Sequence, residues 1–339
     1  MKAAAQTIAN TSQNPLKDLS DHFAGDMASV NDLIMNRMQS DVAMIPQLAA
    51  YLIASGGKRI RPLLTIASAS LYGEDGSHET HLLAAAVEFI HTATLLHDDV
   101  VDESTQRRGQ DSANMVFGNQ ASVLVGDFLF SRAFELMVET NNINALGVLS
   151  KASAIIAEGE VLQLANTGNT ALAFDTYIDI IKAKTAALFS AACEVGPIIN
   201  AADSTQQDTM KAYGENLGIA FQIADDAMDY LSSADDMGKS VGDDFREGKL
   251  TAPVLLAMKD GNVEDQKFWT RVMGDPSAQK DSDLERAITL IAQYDSVQKS
   301  LTLAEDYGSL AKEALSAAPQ NSVTEMLIGV VDQAIHRTA

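Results

Sequence analysis

Apolar residues recur at three- and four-residue spacing along almost the whole chain, and alternating β-branched runs are rare. That period returns side chains to one face of a helix, so the chain reads as all-α. Pro62 opens a run that Gly73 closes, with proline near the first helical position and glycine just past the end. A second helix is expected from about residue 77 to 103, with Leu82, Ala86, Phe89, Ala93, Leu96 and Val100 on its apolar flank. Two more are expected over about 174–195 and 204–231. Gly238 and Gly242 then break the period into a loop, and Thr251-Ala252-Pro253 starts another helix. Residues 281–339 read as further amphipathic helices. No Pro/Ser-rich linker and no short repeat divides the chain, so residues 1–339 are expected to form one domain, with the small polar residues 1–14 disordered.

Charge changes the picture more than length does. Against 46 Asp and Glu stand only 24 Lys and Arg, a formal net charge of −22. Such a chain is repelled by phosphate backbones and by anionic lipid, which argues against nucleic acid as a partner. Any cluster of basic residues is therefore informative. The single cysteine, Cys193, lies in an apolar run and reads as a small core residue, so no disulfide links the chain to itself. The first residues lack the apolar stretch of a signal peptide, and no run is long enough for a transmembrane segment. A cytoplasmic protein is expected.

The clearest chemical signal is Asp-Asp-x-x-Asp, which occurs twice: Asp98, Asp99 and Asp102, then Asp225, Asp226 and Asp229. Each copy ends an otherwise apolar helix. Residues four apart share a face, so Asp98 stands with Asp102 and Asp225 with Asp229, and like charges at that spacing repel by roughly 0.2–0.5 kcal/mol. A helix C-terminus is also the unfavourable end for negative charge. Two such clusters point to a bound cation, and carboxylates without His or Cys suit magnesium, which favours a few carboxylates plus phosphate oxygens. A solvated acidic face is the plainer reading of either copy alone.

The second signal is basic. Gly56-Gly57-Lys58-Arg59-Ile60-Arg61-Pro62 puts three cations on a glycine-rich turn at a helix start, where anions are favoured, and Arg107-Arg108-Gly109 follows the first acidic cluster. Lys184 within a helix, Lys239 between two glycines and Lys249 after Gly248 add weaker hints, since a lysine at a helix edge usually reaches to water. Acidic and basic walls together describe a pocket for a diphosphate.

The ordered set of motifs resembles the trans-isoprenyl diphosphate synthase family from about residue 48 to 258. The matching features are both aspartate motifs, Gly-Gly-Lys-x-x-Arg, Arg107-Arg108, Lys184-Thr185, Phe221-Gln222, and Gly238-Lys239-x-x-Gly242-x-Asp244. More narrowly, it resembles the long-chain members that make octaprenyl to decaprenyl diphosphate for quinone tails. The resemblance implies a helical bundle around a deep cavity, three magnesium ions (manganese as a substitute), and a homodimer. It implies that Asp98, Asp102 and Asp225 hold the metal, with Asp99, Asp226 and Asp229 shaping the shell. Arg107, Lys184, Thr185, Gln222, Lys239 and Lys249 would grip the allylic diphosphate. Lys58, Arg61, His91 and Arg108 would bind isopentenyl diphosphate, although His91 could equally be a satisfied core histidine.

Ala93 and Thr94 precede the first motif at the level where short-chain relatives commonly carry an aromatic block. Here both are small, so a tunnel would stay open past them, with Leu136 and Met137 as candidates for its floor. Ala93 has a second reading as a close-packing contact between helices. Alternatives to a long-chain synthase are a shorter-chain, geranylgeranyl-type synthase, a non-catalytic subunit of a heteromeric synthase, a terpene cyclase and a helical calcium-binding scaffold. The complete aspartate motifs speak against the non-catalytic subunit, and the second diphosphate-binding segment against the cyclase.

Overall fold

The longest helices begin where the sequence caps them. The Ser77 side chain accepts the Thr80 N–H and opens His78–Val101. Asp203 and Gln206 exchange hydrogen bonds in a capping box that opens Ser204–Met228, and Asn142 accepts two first-turn N–H groups of Ile143–Ala165. Each cap satisfies donors that a helix start leaves without acceptors. The structure, a computed structural model, describes residues 14–54, 56–73, 76–107, 109–231 and 241–336.

The fold is all-α. His78–Val101 packs against Asn119–Glu139 and Ile60–Ser70; Ser204–Met228 packs against Ala187–Ile199 and Ser296–Leu315. The expected apolar flank Leu82, Ala86, Phe89, Ala93 and Leu96 is buried. One continuous cluster of buried apolar side chains runs from Leu19 to Ile335. Among the described residues the sole β-structure is an antiparallel hairpin of two-residue strands, Gln106–Arg107 and Gln110–Asp111, which carries Arg107. The tail forms Asp283–Gln293, Ser296–Leu315 and Ser322–Ile335. No helix of the described residues is long and apolar enough to cross a membrane.

Three expectations need correcting. Asn14, placed in the disordered N-terminal stretch, caps Pro15–His22 by accepting the Lys17 N–H; residues 1–13 lie outside the described residues. The helix expected from Pro62 starts at Ile60, so Pro62 is its third residue, where no intrahelical N–H bond is lost. Arg59 precedes it in the left-handed region at φ 48°.

The third correction bears on the site. The expected 174–195 helix is Phe174–Ile181, a π-helical turn Lys182–Ala186, and Ala187–Ile199. Glycines on two neighbouring helices clasp the turn. A Cβ on Gly159 would meet the Ala183 Cβ at 2.6 Å, and one on Gly218 would meet the Ala186 Cα at 2.6 Å. The widened turn re-aims Lys184 and Thr185, a local change that a 3.6-residue pattern does not register.

Candidate active site

A cavity of about 1140 Å³ opens where the two long aspartate-bearing helices end. That exceeds the roughly 300–1,000 Å³ of ordinary ligand pockets. Asp98 and Asp102 lie on its wall, together with His91, Thr94 and Leu95 from the same helix face. Burial, then the neighbouring Glu160, push the Asp98 carboxyl up to about 7. Lys249 Nζ bridges Asp102 Oδ2 at 3.0 Å and Glu247 Oε2 at 2.5 Å. Burial opposes the charged lysine, but Asp102 and Glu247 outweigh it and hold the ammonium above its ordinary value.

Asp99, the middle aspartate, is not on that wall. It is buried behind it, and Arg107 forks onto it: Nε to Oδ1 at 2.8 Å and to Oδ2 at 3.0 Å, Nη2 to Oδ1 at 2.6 Å. The helical rotation of about 100° per residue turns Asp99 away from the Asp98 and Asp102 face. Its work is to fix Arg107, which does line the cavity.

The second motif divides in the same way. Asp225 is exposed on the cavity wall. Asp226 also lines the cavity but is buried, accepting the Tyr177 hydroxyl at 2.6 Å and Gln222 Nε2 at 2.8 Å. Burial raises its carboxyl above the usual range despite both donors. Asp229 does not share the Asp225 wall as its spacing suggested. Its carboxylate accepts the backbone N–H of Asp243 at 3.3 Å and of Asp244 at 3.2 Å, capping the short helix Asp243–Arg246. Gly242 makes this return possible: at φ 79° it takes the left-handed conformation that glycine adopts without strain.

Lys58, Arg59, Arg61 and His91 all line the cavity, the first three from one short segment, with Arg59 held by Glu88 Oε1 at 2.5 Å. Arg61 Nη1 stands 3.2 Å from His91 Nε2; guanidinium carries only donors, so Nε2 accepts. The guanidinium also lies over the Phe189 ring at 4.3 Å, and burial pulls its pKa down to about 10 against the pull of Glu88. Arg107, Lys184 and Lys249 line it too. Lys184 Nζ is held by Glu160 Oε2 at 2.7 Å and Gln163 Oε1 at 3.0 Å. The Thr185 hydroxyl donates to Gln222 Oε1 at 2.7 Å. Arg108, Gly238 and Lys239 lie outside the described residues.

Of the two residues expected to gate a tunnel, Thr94 lines the cavity, whereas Ala93 is fully buried and does not. Ala93 is one turn before His97, whose ring sits where a Cβ on Gly126 would be, so it belongs to the flank packed against Asn119–Glu139. The close-packing reading of Ala93 is the one the structure shows. Leu136 and Met137 are likewise fully buried in the core and off the cavity wall.

Glu160, Gln163, Tyr177, Asp244 and Glu247 line the cavity without having been expected there. Gly159, in mid-helix beside Glu160, was the available signal, since an isolated helix glycine marks a close contact. Among the described residues no three His, Cys, Asp or Glu side chains close around a cation by themselves. The donors still fit magnesium: a few hard carboxylates, Asp98, Asp102 and Asp225, stand on one cavity wall, with coordination left for phosphate oxygens.

An all-α bundle whose central cavity carries two aspartate motifs and cationic side chains defines an isoprenoid synthase-type fold. The chain belongs to the polyprenyl synthetase family, which it matches over residues 42–291. It is 41% identical over 323 residues to octaprenyl diphosphate synthase of Escherichia coli (strain K12), covering 95% of this chain and 99% of that protein. The crystal structure of polyprenyl synthase from Caulobacter crescentus CB15, complexed with calcium and isoprenyl diphosphate, is similar at 51% identity and a TM-score of 0.92, over 96% of this chain and 98% of that one. A decaprenyl diphosphate synthase from Rhodobacter capsulatus is similar at 48% identity and a TM-score of 0.90, over 95% and 99%.

Proposed function

We propose that this chain adds isopentenyl diphosphate, unit by unit and head to tail, to an allylic diphosphate such as farnesyl diphosphate. The product is an all-trans polyprenyl diphosphate of octaprenyl to decaprenyl length, destined for quinone side chains. The observation that carries the reading is one cavity lined by two sets of cationic residues, Lys58–Arg61–His91 and Arg107–Lys184–Lys249, together with Asp98, Asp102 and Asp225. One diphosphate needs one such set; a condensation of two needs both. The naming of the relatives as octaprenyl and decaprenyl synthases supports the long product.

Asp98, Asp102 and Asp225 would hold magnesium, three ions in the full complex, with manganese as a substitute. When bound, it supplies positive charge that offsets the charge gathering on the leaving diphosphate. The relative solved with calcium and isoprenyl diphosphate supports a divalent ion beside a diphosphate. Lys184, Lys249 and Arg107, with Thr185, Gln222 and Lys239 as further contacts, orient the allylic diphosphate so that its carbon–oxygen bond ionises. Lys58, Arg61 and His91, joined by Arg108, hold isopentenyl diphosphate with its double bond against the allylic carbon. The new carbon–carbon bond forms, and the proton released goes to the departed diphosphate. Apolar walls, among them Leu95, Ile156, Ile181 and Phe221, keep water from the cation and receive the tail.

We further propose a homodimer working in the cytoplasm. Leu124, Phe134, Val138, Ile143 and Val161 stand exposed on the consecutive helices Asn119–Glu139 and Ile143–Ala165, and several large apolar side chains left to solvent on neighbouring helices support an interface there. Incorporation of labelled isopentenyl diphosphate into an acid-labile lipid tests the activity. It should require magnesium and fall by orders of magnitude in Asp98→Ala and Asp225→Ala with helicity intact; full incorporation in excess chelator contradicts the metal role.

A further inference from the structure

Four side chains from three elements join in one chain of hydrogen bonds beside the cavity. The Tyr177 hydroxyl donates to Asp226 Oδ2 at 2.6 Å, Gln222 Nε2 donates to Asp226 Oδ1 at 2.8 Å, and the Thr185 hydroxyl donates to Gln222 Oε1 at 2.7 Å. Tyr177 comes from Phe174–Ile181, Thr185 from the π-helical turn, and Gln222 and Asp226 from successive turns of Ser204–Met228. All four line the cavity.

The sense of this chain is not arbitrary. A primary amide has a donor end and an acceptor end, and both Asp226 oxygens accept here, one from Tyr177 and one from Gln222. Asp226 therefore draws the NH₂ end of Gln222 and leaves its carbonyl oxygen toward Thr185. That oxygen in turn fixes the Thr185 hydroxyl hydrogen. Asp226 can impose this only while its own carboxylate is held, and its second oxygen is held by Tyr177. The ring of Tyr177 is buried and packs near Phe174, with ring centroids 5.4 Å apart. A phenylalanine would serve that packing equally well, so the hydroxyl answers to its polar partners, Asp226 and the backbone of Ala252.

The geometry points to Tyr177 as a positioning residue for the proposed condensation: through Asp226 it holds the Gln222 amide and the Thr185 hydroxyl in one fixed orientation beside the allylic substrate. This rests on the proposed function. Oriented dipoles act on the step in which charge separates, and they contribute little to holding a ground-state diphosphate already gripped by lysines and arginine. The effect therefore belongs in kcat rather than in KM.

The test is a double-mutant cycle on single-turnover and steady-state incorporation, with Tyr177→Phe, Gln222→Met and the pair. Tyr177→Phe should lower kcat roughly ten- to a hundredfold, the weight of one hydrogen bond to a charged acceptor. KM for both substrates should stay within about threefold. Gln222→Met should lower kcat at least as far, and the double variant should be no slower than Gln222→Met alone, because Tyr177 acts only through that amide. Factors that multiply in the double variant assign Tyr177 an independent structural part and overturn the inference. So does a wild-type kcat in Tyr177→Phe. Should Tyr177→Phe not fold, an unchanged kcat in Gln222→Met overturns it equally. A wild-type protein that incorporates no isopentenyl diphosphate contradicts the proposed function itself; an active wild type with an unimpaired Tyr177→Phe contradicts this inference alone.

Discussion

Arg107 grips Asp99 with two of its nitrogens, at 2.6–3.0 Å, while itself lining the cavity that Asp98 and Asp102 face. Adjacent aspartates of one motif thus do different work. Asp98→Ala or Asp102→Ala should raise the magnesium concentration needed for half-maximal activity. Asp99→Asn should leave that requirement unchanged, raise KM for the allylic diphosphate, and cost about 2 kcal/mol of stability, discounted for the partial exposure of Arg107. Magnesium titration of the three variants, with thermal melts, checks this. An equal shift in magnesium requirement for all three contradicts the division.

The two cationic groups should sort by substrate. Lys58→Ala and Arg61→Ala are expected to raise mainly KM for isopentenyl diphosphate. Lys184→Ala and Lys239→Ala should act on the allylic substrate or on turnover. Initial rates with each substrate varied in turn decide it; all four variants weakening both substrates alike would show one undivided site.

Product length should respond to Thr94 and not to Ala93. Thr94 lines the cavity one turn before Asp98, so Thr94→Phe should still consume farnesyl diphosphate but stop after few additions. Ala93 has no free space, and Ala93→Phe should overpack the contact with Asn119–Glu139 at a cost of about 1–3 kcal/mol, without a clean shift in length. Mass analysis of dephosphorylated products and thermal melts of both variants separate these outcomes.

Cys193 reports on unfolding. Burial pushes its thiol from 9.0 up to about 12, so the folded chain binds the proton more tightly than the unfolded one. The stability this contributes is fully present below the ordinary thiol pKa and is lost as pH rises from about 9 toward 12. At pH 8 the native protein should not react with iodoacetamide, and in denaturant it should react at one site per chain. Rapid labelling of the native protein would contradict the burial.

Helical period and both aspartate motifs were legible in the sequence because each is a local rule that the fold obeys. The apolar flank from Leu82 to Leu96 illustrates this. What escaped was non-local or below the resolution of a period. Asp99 carries the same side chain as Asp98, and only its rotation about the helix separates clamp from cavity wall; Asp229 shares the helix face of Asp225, and it is the chain returning at Gly242 that occupies its carboxylate. The π-helical turn at Lys184 depends on glycines 159 and 218, far away in the chain. Glu160 and Glu247 acquire meaning only from the lysines they hold, 24 residues away for Glu160 and on the next turn of backbone for Glu247.

The most direct measurement is the mass of the product formed from farnesyl diphosphate, excess isopentenyl diphosphate and magnesium, after removal of the diphosphate. Sequential condensation in an open apolar cavity predicts an all-trans polyprenol of eight to ten isoprene units, absent when magnesium is chelated. A single addition ending at geranylgeraniol, a cyclised hydrocarbon, or unreacted farnesyl diphosphate would contradict the account.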